Sequence, residues 1–87
     1  MKHLRYFSAL ARHGHFGRAA DDCAVTQPAL SVQLKELEAL IGTPLVERGT
    51  RHIRLTAVGE AFAERVRDIL RAVEELENLA RAAHRPL

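Results

Sequence analysis

Apolar residues recur in helical steps through most of the chain, and the breaks in that rhythm divide it into segments. Within residues 3–14, Leu4, Phe7, Leu10 and Ala11 fall on one side, and Gly14 is placed to end a short amphipathic helix. Phe16, Ala19, Ala20 and Cys23 form a second short stripe, and its two alanines permit another helix to cross closely. Ala24-Val25-Thr26 breaks the pattern. Thr26 is a suitable N-cap, and Pro28 fits a first helical turn, where its missing N–H would have no partner. The third helix is predicted from about Gln27 to Ile41, with Gly42 as its stop and Pro44 preventing its resumption. Three short helices with a brief joint between the second and third make a helix-turn-helix, at about residues 16–36. An αα-hairpin in an unrelated bundle would share much of this layout.

The third helix carries two different faces. Leu30, Leu34, Leu37 and Ile41 lie on one stripe, which predicts burial. Pro28, Val32 and Lys35 lie opposite, with Ser31 flanking them. A face that is merely solvated usually carries long charged side chains. This one is small and lightly charged, which suits close approach to another surface, and the major groove of DNA is the first candidate.

After that helix the period shortens. Leu45-Val46-Glu47-Arg48 and Arg51-His52-Ile53-Arg54-Leu55 flank Gly49-Thr50, which predicts a two-stranded hairpin, a wing, over residues 45–55. Arg48, Arg51 and Arg54 fall in it without an acid between them. An ordinary solvated hairpin would read the same way in isolation.

Thr56 then caps a long fourth helix, with Glu60 favourably placed in its first turns. Val58, Phe62, Val66, Ile69, Val73, Leu76, Ala80 and Ala83 follow steps close to the 3.5-residue repeat of a coiled-coil seam. From Thr56 to Ala83 the helix would run roughly 42 Å at about 1.5 Å per residue. The preceding segment is too small to cover that length. Its own body could account for the first two turns, and the rest of the seam implies a homodimer, with Phe62, Val66, Ile69, Val73, Leu76 and Ala80 as its interface. The expected architecture is mainly α: a winged helix-turn-helix at residues 1–55 followed by a dimerising linker helix at 56–87.

Composition narrows the function. The 87 residues are 47% apolar and 28% charged, as in one small globular domain. The net charge of +2 is unevenly spread: residues 1–55 hold eight Lys/Arg against five acids, and residues 56–87 hold five against six. The basic front suits a polyanion or an anionic surface. One cysteine excludes an internal disulfide and points to a reducing, cytoplasmic compartment. No run is long enough to span a membrane, and the basic start is not a secretory signal. The five histidines lack ligand spacing, so no metal is expected, and Cys23 reads as a small core residue. No nucleophile–base pair, carboxylate dyad or phosphate loop is present, so neither an enzyme nor a cofactor is implied.

Phe16-Gly17-Arg18-Ala19-Ala20, Val25-Thr26-Gln27-Pro28-Ala29-Leu30-Ser31, Gln33-Leu34, Leu37-Glu38, Gly42, Leu45, Glu47-Arg48, Arg51, Leu55-Thr56 and Gly59-Glu60 occur in an order and spacing that resemble the N-terminal domain of LysR-type transcriptional regulators. The resemblance covers nearly the whole chain. His13-Gly14-His15-Phe16, Ala19-Ala20-Asp21 and Cys23 look most like the peroxide-sensing, OxyR-like branch. It implies a bacterial protein, nucleoid-associated when bound to DNA, that forms a homodimer, with a tetramer as a further state of a full-length regulator. Family members are several times longer and carry an effector-binding domain after the linker helix. The expectation is a chain cut, or naturally truncated, after that helix.

Under this reading the function is sequence-specific binding of double-stranded DNA at a pseudo-palindromic operator by a homodimer, for transcriptional regulation. The alternative is a coiled-coil protein-interaction module with a basic docking face. A membrane-binding surface is disfavoured by the absence of a lysine-rich flank and aromatic anchors along the seam. Gln27 can pair with an adenine edge, Ser31 can donate or accept, and Lys35 can reach guanine or phosphate. Pro28, Ala29 and Val32 can touch thymine methyls, and Thr26 sits at the helix N-terminus, which favours a phosphate. Val32 stands where many family members carry arginine, so shape and the wing are expected to matter more. Arg51 matches the family's basic wing residue, and Arg54 is a weaker candidate. Arg48 could instead pair with Glu47 or Glu38, and Arg18 is either a phosphate clamp or solvated.

Overall fold

The computed structural model of the chain describes residues 2–47 and 52–84. Among them run four helices and a two-stranded antiparallel sheet: α1 (Lys2–His13), α2 (Phe16–Asp22), α3 (Gln27–Ile41), β1 (Val46–Glu47), β2 (Arg54–Leu55) and α4 (Ala57–Ala83). The fold is the mainly α, winged arrangement expected from the sequence.

Local chemistry sets each boundary. Gly14, at a φ of 65°, takes the left-handed conformation that ends α1, and its N–H donates to the Leu10 carbonyl at 2.9 Å. His15 caps α2, its Nδ1 accepting the Arg18 N–H at 3.3 Å. The end of α2 is a Schellman turn: Val25 N–H donates to Ala20 O and Ala24 N–H to Asp21 O. Ala24 occupies the left-handed position at a φ of 56°, where glycine is usual. Thr26 caps α3 by accepting the Ala29 N–H at 3.2 Å, and Gly42 closes it at a φ of 77°. Thr56 caps α4 by accepting the Gly59 N–H at 2.9 Å, with Glu60 in the first turn.

The core lies where α1, α2 and α3 meet the root of α4 and the base of the wing. Phe7, Leu10, Ala19, Ala20, Leu30, Leu34, Leu37, Leu45, Val46 and Val66 are buried in it. Ala19 and Ala20 are both buried, as expected where a second helix crosses closely. Phe7 and Phe62 meet edge to face, with ring centroids 5.6 Å apart, which pins α4 to α1. Glu38 ties α3 to the wing: its Oε2 accepts the N–H groups of Leu45 at 2.7 Å and Val46 at 3.4 Å. The return strand is held from the other side, where Ile53 N–H donates to Gly14 O at 3.1 Å.

Three sequence expectations change. Ile41, the last member of the α3 stripe, is 37% exposed, because it lies in the final turn, beyond the elements that cover Leu30, Leu34 and Leu37. Val66 is 1% exposed and belongs to the chain's own core, so it is not available to a partner helix. Phe62 is likewise packed against that core. The stripe is open at Val58, which is 48% exposed, and again beyond Val66, at Ile69 and at Leu76, 65% exposed, with Leu79 beside it at 67%. The molecule is correspondingly elongated, 55 × 24 × 19 Å, with α4 as its long axis.

Candidate nucleic-acid interface

The first two turns of α3 turn a polar and small-residue face outward. Gln27, Pro28, Ala29, Val32 and Lys35 are exposed and Ser31 is half-buried, while Leu30, Leu34 and Leu37 are buried behind them. Val32 is 52% exposed, which for an apolar residue on a core helix marks the face as accessible. Steps of four place Gln27, Ser31 and Lys35 in one row. The Thr26 hydroxyl oxygen is engaged as the cap, but its O–H remains able to donate outward. The free N–H groups of this turn and the helix dipole add partial positive charge at the same end.

α2 flanks this face. Arg18 is exposed in its first turn. Phe16, at the start of α2, joins Gln27, Pro28 and Ser31 in lining a shallow open depression. Gly17 keeps the junction open: a Cβ there would lie 2.9 Å from His15 Cε1 and 3.4 Å from Gln27 Nε2. The Gln27 amide therefore extends over the first turn of α2.

The wing supplies Arg54, exposed on β2 and opposite Glu47 in the antiparallel register. Arg48, Arg51 and the turn expected at Gly49-Thr50 lie outside the described residues. On the far side of α2, Asp22 pairs with Arg12 and with His13, 3.0 Å away. The His13 hydrogen bond, with Arg12 adding, holds the Asp22 carboxyl below its ordinary range. Burial, with the Asp22 charge beside it, pushes the Cys23 thiol up. That is the opposite of an activated thiol and agrees with a packing role. Among the described residues no cluster of side chains could hold a metal ion, and no helix is long and apolar enough to cross a membrane.

Residues 1–60 match the model of the bacterial regulatory helix-turn-helix proteins of the lysR family. The chain belongs to the LysR family. This LysR-family chain is 47% identical over 85 residues to the HTH-type transcriptional regulator BudR of Klebsiella aerogenes, covering 93% of itself and 59% of BudR. It superposes on a full-length OxyR variant from Pseudomonas aeruginosa with a TM-score of 0.92 and 40% identity, covering 97% of itself and 28% of that chain. The DNA-binding domain of CbnR, solved as a complex with DNA, matches with a TM-score of 0.86 and 42% identity over 95% of both chains. The LysR-family chain is thus a DNA-binding helix-turn-helix domain of transcriptional regulation. It spans about three-fifths of BudR and about a quarter of OxyR.

Three residues of this LysR-family chain that were not expected at the site help to build it. Phe16, a member of the α2 stripe and of the family motif, also stands at the first residue of α2, where it lines the depression with Gln27 and Pro28. Glu38 carried a polar signal on the edge of a buried stripe, and it anchors the wing. His15 stood next to Phe16 as a cap without being one of the usual capping residues.

Proposed function

We propose that the chain binds duplex DNA sequence-specifically as a homodimer, with the first turns of α3 in the major groove and the wing beside the backbone. The observation that carries this reading is the exposed face from Gln27 to Lys35 on a helix whose opposite side is locked into the core. Gln27 serves an adenine edge, Ser31 and Lys35 reach neighbouring bases or phosphate, and Pro28, Ala29 and Val32 meet thymine methyls. Arg18, Arg54, Arg48 and Arg51 supply phosphate contacts, and Thr26 orients a phosphate at the helix N-terminus. The dimer uses the open part of α4, through Ile69, Val73, Leu76 and Ala80, with Leu79 beside them. Two-fold symmetry then sets two half-sites about one helical turn, or a multiple of it, apart. In a longer regulator an effector domain after α4 would bias this spacing, and the protein would act in the bacterial cytoplasm.

Anisotropy titration of duplexes selected from a random pool, repeated across salt concentrations, tests the reading. The expected log K falls linearly with log salt, with a slope of about −0.9 per phosphate neutralised. A folded, dimeric chain that binds no duplex at low salt would refute it and favour an acidic protein partner for the basic face.

A further inference from the structure

The depression between α2 and α3 has a composition that a phosphate contact does not need. It is lined by Phe16, Pro28, Ser31 and Gln27, an aromatic and a proline beside a hydroxyl and an amide. It is continuous with the outward face of α3, since three of its four residues belong to that face. The Gln27 amide stands at its rim, 3.4 Å from the position of a Cβ on Gly17.

In the major groove, the only apolar group a base pair presents is the C5-methyl of thymine. An amide that pairs with adenine N6 and N7 holds an A·T pair, or its neighbour, against whatever lies beside that amide. Here an aromatic ring and a proline ring lie beside it. Resting on the proposed DNA-binding reading, we propose that this depression is a thymine-methyl pocket, and that Phe16 of α2 is a specificity-determining residue outside the recognition helix. Desolvating one methyl against two rings carries a preference for thymine at one position of each half-site. Val32, further along α3 and outside the depression, does not supply it.

The test uses the full 87-residue chain and its preferred selected duplex, in which each thymidine is replaced in turn by deoxyuridine. That change removes the C5-methyl and leaves every base-pairing edge intact. The expected result is a loss of about fourfold in affinity at one position per half-site, the worth of one methyl-sized group removed from water. In Phe16→Ala that penalty should fall below about 1.5-fold, with tight binding of the uracil duplex otherwise retained. Phe16 is half-buried, so the variant's fold is checked by circular dichroism and melting. Pro28→Ala, an exposed position on the opposite wall, gives a second reading that does not depend on the core. Loss of the deoxyuridine penalty in folded Phe16→Ala supports the pocket, and loss in Pro28→Ala alone, with the penalty intact in folded Phe16→Ala, overturns the role of Phe16. An unchanged penalty in both, or no penalty at any position for the unaltered chain, overturns it while leaving DNA binding intact. Failure to bind any duplex overturns the functional reading itself.

Discussion

The carbonyl oxygen of Leu45 lies 2.0 Å from the point a Cβ on Gly59 would occupy. The same oxygen accepts the Thr56 N–H at 3.0 Å, and the Thr56 hydroxyl donates to Pro44 O while accepting from Gly59 N–H. The start of the wing and the start of α4 are therefore fastened backbone to backbone. This joint fixes the direction in which the long helix leaves the domain, and with it the separation of any two paired domains. In Gly59→Ala the clash is with backbone, so it cannot be relieved by a rotamer change. We expect a loss of at least about 1–3 kcal/mol in unfolding free energy. Gly42→Ala should cost less, because its added Cβ meets nothing within 4 Å and only the positive φ opposes it. Urea denaturation of the two variants checks the order, and an unperturbed Gly59→Ala would contradict the joint.

Ala24 holds the left-handed position of the α2 Schellman turn. Glycine removes the Cβ strain there at some cost in unfolded-state entropy. Ala24→Gly should therefore raise stability by roughly 0.5–1 kcal/mol. A lower melting temperature would show that the alanine methyl contributes packing that outweighs the strain.

Asp22 has its carboxyl held low by His13 and Arg12. Because the folded state favours the ionised form, the stability this contributes is present above the ordinary carboxylate range. It is lost as pH falls through that range toward the folded-state value. The melting temperature of the unaltered chain should exceed that of Asp22→Asn near neutral pH, and the gap should close in strong acid. A gap that persists after the carboxyl is protonated would assign the effect to packing instead.

The α4 stripe divides at Val66. Val66→Asp places a charge in the buried core and should unfold the domain. Leu76→Asp lies on the open stripe and should leave a folded monomer. Ile69→Asp should do the same. Sedimentation and circular dichroism together distinguish the outcomes, and folded dimers in both exposed-site variants would remove the proposed seam.

Gln27→Ala should cost on the order of 1–3 kcal/mol on the preferred duplex and relax discrimination at one base position. A uniform loss across all sequences would mark Gln27 as a backbone contact.

Much of this protein was legible in one dimension. Thr26 with Gln27–Ile41 and Gly42 marked α3 to the residue, and Thr56 marked the start of α4, because caps and stops act over one turn of chain. The family, the helix-turn-helix and the outward face of α3 follow from the same local signals. Tertiary structure alone decided which apolar residues are shared with the body. Val66 and Ile69 are alike in the seam pattern, yet one is buried in the core and the other is open, since periodicity reports a face and not what covers it. It also decided that Phe16 stands beside Gln27 and that Glu38 holds the wing, contacts between residues eleven and seven positions apart that no local propensity encodes. The sequence by itself set the helices and the kind of surface they present. The crossing of α2 over α3 and the Leu45–Gly59 joint set where those surfaces point, because close packing selects one arrangement among the many that the same pattern allows.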